Sequence, residues 1–153
     1  EKFLPLAKEH NAEIVCLTIN EKGIPNTVEG RTELAMMLLT TAMDQGISQE
    51  KIYLDGVVLP ITAAQDQCPV LLETITALRA LSSPPPKTLV GLSNVSSGAE
   101  EKSLLNRTYL AMLRGRGVDA AIVDPNDEGL MQIAKASDVL LNQKLYAHSF
   151  LRA

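Results

Sequence analysis

Residues 87–98 read "KTLVGLSNVSSG". Leu89 and Val90 begin an apolar climb that passes Gly91 and Leu92 and stops at Ser93 and Asn94. The run shows no regular polar alternation, so both of its faces call for burial, as in a strand of a parallel sheet. From about Glu101, Leu105, Tyr109, Met112 and Leu113 recur on one side of a helix, which Gly115 and Gly117 close. A buried strand followed by a helix is the unit that decides the fold, because it recurs on both sides of this stretch.

Upstream, residues 1–10 read as helix and "EIVCLTIN" (13–20) as a first β-branched strand. "EKGIPNTVEG" (21–30) reads as a loop, and a helix over 31–43 carries Leu34, Met37, Leu38 and Ala42 on one face before Gly46. "KIYLDGVVLP" (51–60) is the second strand, followed by a polar loop. Leu71, Leu72, Ile75 and Leu78 mark a helix over 67–81, which "SSPPP" (82–86) ends. Downstream, "DAAIVD" (119–124) is the fourth strand. A last helix, about Asn126 to Leu141, turns Leu130, Ile133 and Ala134 inward, and "LYAHSFLRA" trails it. The order α-βα-βα-βα-βα predicts an α/β fold whose parallel sheet is covered by helices. Two architectures suit it: a doubly wound open sheet, or part of a (β/α)8 barrel. A whole barrel takes about 250 residues, so four βα units make roughly half of one.

Composition narrows the function classes. The 153 residues are 46% hydrophobic and 21% charged, which suits one globular domain with a sizeable core. Formal net charge is −4 with scattered Lys and Arg, which argues against nucleic acid and anionic membranes as partners. Apolar runs are strand-sized, so no membrane span is expected. Cys16 and Cys68 sit in apolar company, far apart, and read as buried thiols of a reducing cytoplasm. The sequences at 94–96 and 106–108 match the N-glycosylation pattern and read as chance matches. The chain lacks an initiator Met and opens inside a helical pattern, so it is expected to be a piece of a longer protein.

In either architecture, ligands bind at the C-terminal ends of the parallel strands. That edge presents Thr18 and Asn20, then Asp55, then Ser93 and Asn94, then Asp124, Asn126 and Asp127. Asn and Asp after strands are common turn and cap residues. Asn126 and Asp127 open a helix and read as caps, Asp124-Pro125 reads as a turn, and Asn20 reads as structural. Asp55 stands apart, because Gly56 and the apolar "VVLP" follow it and no helix begins there to be capped. Asn94 stands apart too, with Ser96 or Ser97 able to take any capping role. No glycine-rich nucleotide cradle, zinc-spaced cysteine pair or HExxH is present in the sequence. His10 and His148 lie towards the ends, away from the strand tips, so no Ser-His nucleophile forms around Ser93. What remains is a metal-free pair of carboxylate and amide. A carboxylate accepts parallel N–H bonds from an aminopyrimidine edge, and an amide can donate to or accept from a ring nitrogen.

"YLDGVVLP" invites comparison with receiver-type signalling domains, whose phosphoacceptor Asp ends a strand. Their acidic pair is missing from "VCLTIN" and their Lys from "AIVDPND". Four blocks carry a closer likeness: "IYLDGVVLPITAAQDQ", "KTLVGLSNVSSG", "LLNRTYLAMLRGRGVDAAIVDPND" and "DVLLNQKLY". In order and spacing, across essentially the whole chain, they resemble the pterin-binding methyltransferases. Within these they are most similar to the methyltetrahydrofolate:corrinoid/iron-sulfur protein methyltransferases of anaerobes, which serve the acetyl-CoA pathway.

The resemblance implies a partial TIM (β/α)8 barrel, with residues 1–153 as the C-terminal part of a single pterin-binding domain, strands five to eight with their helices. It implies transfer of the N5-methyl group of methyltetrahydrofolate to cob(I)alamin carried by a corrinoid/iron-sulfur protein. It further implies a cytoplasmic homodimer at full length, no bound metal, and no activity for this part alone, since the absent half would supply further pterin contacts. Asp55 would bind the pyrimidine edge of the pterin, and Asn94 would act near N5. Gly91 and Ser93 would shape the pocket, Ile122 would line it, and Gln65 would contribute from the loop after Asp55. Gly56 stands where the family often has Pro, which implies a looser turn, and Lys102 is the nearest cation after Asn94. A dihydropteroate-synthase relative is the alternative enzyme, although its phosphate-binding Lys and Arg signatures are missing.

Overall fold

The computed structural model describes residues 3–144. His148 and the segment "LYAHSFLRA", with the end of the block "DVLLNQKLY", lie outside the described residues. Four strands form one sheet: β1 Ile14–Leu17, β2 Ile52–Asp55, β3 Lys87–Gly91 and β4 Ala120–Ile122. All pairings are parallel, and the spatial order β1-β2-β3-β4 is the order in sequence. Helices alternate with them: α1 Phe3–Glu9, α2 Val28–Asp44, the short α3 Ile61–Ala64, α4 Gln67–Arg79, α5 Lys102–Gly115 and α6 Glu128–Leu140.

Sequential order selects between the two architectures. Right-handed crossovers between successive neighbours place every connecting helix on the same face of the sheet. A doubly wound sheet must instead reverse direction so that helices cover both faces. The side chains agree with single winding. Cys16, Ile52, Leu54 and Val90 are buried in cores shared with residues of α2, α4 and α5. The alternate residues point the other way, and there Leu17 is 46% and Ile122 62% exposed. Strands that are apolar on both faces but covered by helices on one are what a segment of a barrel wall presents.

The helices follow their apolar stripes, with corrections at the margins. In α2 the buried residues are Arg31, Leu34, Ala35, Leu39 and Ala42, and Met37 is 57% exposed. The stripe thus runs one residue away from the face expected from Met37. This helix also starts earlier than the reading of 21–30 as loop implies, because Thr27 caps it by accepting the Gly30 N–H at 3.1 Å. In α5 Tyr109, Leu110 and Leu113 are buried, and Met112 is largely exposed. Cys16 is buried and Cys68 partly so, and both are free thiols. Among the described residues no helix is long and apolar enough to cross a membrane.

Candidate functional site

At the C-terminal end of β2, the Asp55 backbone carbonyl accepts the Thr18 N–H at 2.9 Å and the Thr18 hydroxyl at 3.1 Å. This ties the end of β2 to the end of β1. The Asp55 side chain bends back along its own chain, and Oδ1 accepts the Val57 N–H at 2.7 Å. Val57 has φ of +61°, a left-handed conformation that a β-branched residue adopts only under constraint. Strain of this kind costs on the order of 1–3 kcal/mol and gathers where a chain must aim a group.

Arg31 supplies the constraint. It is fully buried on the sheet side of α2. Its Nη1 donates to the carbonyls of Gly56 (2.9 Å) and Val57 (3.3 Å), and its Nε to that of Pro25 (2.7 Å). Its Nη2 donates to Gln67 Oε1 at 2.8 Å, while Gln67 Nε2 donates to Asp66 at 2.9 Å. Gly56 completes the turn by absence: a Cβ there would lie 2.5 Å from Leu71 Cδ1. The Asp55-Gly56 turn is therefore pinned from three sides, not loosened as the replacement of Pro implies.

Asp55 is buried, with 8% of its surface exposed. Burial pushes its carboxyl pKa up, and the Val57 N–H opposes that rise. Oδ2 takes no hydrogen bond among the described residues. Since it is not among their buried unpartnered atoms, it reaches solvent. By strand register Asp55 pairs with Leu17 on one side and Leu89 on the other, so it sits on the face the helices leave open. A partly dehydrated carboxylate oxygen at the C-terminal edge is a strong acceptor for ligand N–H groups.

The neighbouring strand places the amide. β3 ends at Gly91 and passes into a 3-10 turn, Leu92–Ser96. Ser93 and Asn94 are exposed on this turn, while Leu92 and Val95 anchor it in the core. Asn94 Nδ2 lies back over the sheet, 3.2 Å from where a Cβ on Gly91 would stand. Capping does not account for Asn94: α5 begins at Lys102 with Glu101 at its N-cap and no side-chain cap bond. Ile122 pairs with Gly91 on β4 and shares the open face with Asp55. Gln65 differs, lining a cavity of about 310 Å³ between α4 and α5 with Cys68, Leu72, Val95, Tyr109 and Met112. The structure thus brings Asp55, Gly91, Asn94 and Ile122 to one face and one edge, and turns Gln65 towards the helical layer.

The other polar strand-end residues have local duties. Asp127 caps α6 through the Leu130 N–H, Asp124 Oδ1 accepts from the backbone and side chain of Asn126, and Asn20 Oδ1 accepts the Lys22 N–H. Among the described residues no group of three or more His, Cys, Asp or Glu comes together to hold a metal ion. Arg31, Val57 and Gln67 are not among the residues the sequence singles out. Arg31 carried a signal, since it falls three and four residues before the buried Leu34 and Ala35, in phase with the apolar stripe.

The family of pterin binding enzymes matches residues 1–124. A methylcorrinoid:tetrahydrofolate methyltransferase from Eubacterium limosum is 28% identical over 141 residues, covering 92% of this chain and 52% of that protein. The methionine synthases of Mycobacterium leprae and Mycobacterium tuberculosis are 34% and 33% identical over 128 residues, 80% of this chain and 11% of theirs. The chain therefore spans about half the length of the first relative and a small part of the other two.

Proposed function

The chain belongs to the pterin-binding enzyme family, and from that premise we propose that it forms the C-terminal part of a methyltransferase barrel acting between a methyltetrahydrofolate and a corrinoid protein. The observation that carries the proposal is the pinned Asp55 carboxylate, with Oδ2 unengaged among the described residues, at the same sheet edge as Asn94 on the turn that follows the neighbouring strand. The names of the relatives support the reaction class: one is a methylcorrinoid:tetrahydrofolate methyltransferase, and two are methionine synthases. They favour methyl transfer over dihydropteroate-synthase chemistry within the same family. Family membership also displaces the receiver-type reading of Asp55.

In this proposal Asp55 Oδ2 accepts the N–H groups of the pterin's aminopyrimidine edge and fixes the ring against the open face. Gly91, with no side chain, lets the ring approach the sheet, and Ile122 and Leu17 pack on its apolar parts. The strands absent from this chain would close the pocket from the other side. Asn94 hydrogen-bonds at N5. A tertiary amine leaves poorly until N5 gains a proton, and an amide can accept from the protonated nitrogen or donate to the neutral one. An interaction that is stronger in the transition state than in either ground state accelerates transfer. The corrinoid, bound by a partner protein, supplies the cobalt that takes or gives the methyl group. The same residues serve both directions, so the name of the Eubacterium limosum protein, which runs toward tetrahydrofolate, is compatible with the assignment.

Methyl exchange between methyltetrahydrofolate and cob(I)alamin, followed by corrinoid absorbance with the full-length protein, tests the proposal. Asn94→Ala is expected to slow turnover by about 10²-fold or more while weakening pterin binding less, as for loss of a transition-state donor. Unchanged turnover in Asn94→Ala would remove this residue from the site.

A further inference from the structure

We infer that Arg31 is a positioning residue of the pterin site: its guanidinium holds the Gly56-Val57 peptide so that the Val57 N–H aims the Asp55 carboxylate. The inference rests on the reading of Asp55 as a pterin ligand, and its geometry is independent of that reading. Arg31 is fully buried, and among the described residues none of its hydrogen-bond acceptors is a carboxylate. A buried guanidinium satisfied only by carbonyl and amide oxygens is an expensive way to fill a core position, since an apolar residue of the same volume avoids the dehydration. Three of its four acceptors are backbone carbonyls, two of them in consecutive residues of the turn after Asp55. Between those carbonyls lies Val57, in a conformation that valine does not hold unaided. The fourth acceptor, Gln67, orients the fork from α4 and is itself held to Asp66.

The chain of contacts is short and directional. Arg31 Nη1 fixes two carbonyls, the carbonyls fix the peptide between Gly56 and Val57, and its N–H fixes Asp55 Oδ1. Freed of Arg31, Val57 relaxes toward negative φ, its N–H turns away, and the carboxylate loses its aim. Tyr109 on α5 is an ionisable group that faces Arg31, and Asp66 reaches it through Gln67.

The test uses the full-length protein with Arg31→Lys, Val57→Gly and the double variant. Arg31→Lys keeps the charge but cannot reach both turn carbonyls and Gln67 together. Glycine adopts positive φ without strain, so Val57→Gly removes the need for the clamp. Two readouts are taken. The first is the methyltetrahydrofolate dissociation constant. The second, with no ligand present, is the titration of the Asp55 carboxyl carbon by NMR. Arg31→Lys is expected to weaken binding about 10-fold or more, the scale for outer partners of a binding group. It is also expected to move the Asp55 midpoint upward, through loss of the Val57 N–H bond. The double variant is expected to recover most of both losses. A core residue with no positioning role gives additive effects and no recovery, and that outcome overturns the inference. So does a folded Arg31→Lys variant with both readouts unchanged. If Arg31→Lys fails to fold, the double variant decides: folding with a near-native Asp55 titration supports the clamp, and failure to fold overturns it. If the unaltered protein binds no methyltetrahydrofolate but the Asp55 titration follows this pattern, the pterin reading fails and the positioning role stands.

Discussion

Asp55 and Asp127 are the same residue type at the same edge of the same sheet, and the fold treats them in opposite ways. Asp127 follows β4 and opens α6, where its Oδ1 accepts the Leu130 N–H at 3.0 Å and Arg107 Nη2 at 2.6 Å. The Arg107 guanidinium, then the Leu130 amide, hold its pKa below the ordinary carboxylate value. Every neighbour rewards its negative charge, as expected of a residue at a helix N-terminus. Asp55 is more buried, has one backbone N–H, and is pushed up by dehydration. The cation close to its turn, Arg31, gives two of its hydrogen bonds to carbonyls of the turn, the others to Pro25 and Gln67, and none among the described residues to the carboxylate. A charge whose surroundings satisfy it serves the fold. A charge held in place but left short of partners is arranged for something that arrives later.

The widest separation between the two is expected in ligand binding by the full-length protein. On the proposed reading Asp55→Ala removes a charged hydrogen bond to the ligand worth about 1.5–3 kcal/mol, so methyltetrahydrofolate binding should weaken roughly 10- to 100-fold. Asp127→Ala should leave that affinity unchanged. Equilibrium binding of both variants checks this, and equal losses at the two positions would erase the distinction drawn between them.

Thermal stability should reverse the ranking. Asp127→Ala takes away a helix cap and an ion partner of Arg107 together, and its melting temperature should fall by about 2–4 °C. Asp55→Asn keeps an oxygen for the Val57 N–H and drops a dehydrated charge, so its melting temperature should hold or rise. Calorimetry on the two variants separates a residue kept for the fold from one kept for the site.

Much of this was legible in the sequence, for identifiable reasons. The four strands and the helices on 67–81 and after Glu101 announce themselves by period, and proline and glycine mark their ends. The capping role of Asp127 follows from a helix beginning directly after it, and the standing of Asp55 from none beginning there. Spatial order was not legible: strand-helix repeats are common to doubly and singly wound sheets, and only the pairing of β1 with β2, β2 with β3 and β3 with β4 separates them. The clamp was hidden for a different reason. A charged residue in phase with an apolar stripe is ordinarily discounted as a boundary residue, and a valine gives no local sign of a left-handed conformation. Both become intelligible only together, because Arg31 and Val57 are 26 positions apart. Gln65 shows the converse, a polar residue in a plausible loop whose backbone carries it toward the α4-α5 cavity.

The subtlest expected difference between the aspartates is the sign of their pH dependence. Asp55 has a raised pKa in the fold, so the native state holds its proton more tightly than the unfolded chain does. Stability is therefore full below the ordinary carboxylate value. It declines as pH rises from there through the raised value, and then stays level. Asp127 has a lowered pKa, so its contribution is present above the ordinary carboxylate value and is lost as pH falls through the lowered one. Asp55→Asn should consequently match the unaltered protein in acid and exceed it above the carboxylate range. Asp127→Asn should fall short above that range and converge in acid. Urea unfolding at one pH below and one above the carboxylate range reads both signs. If the Asp55→Asn difference is the same at both, the carboxylate is not held at a cost in charge, and its distinction from Asp127 rests on position alone.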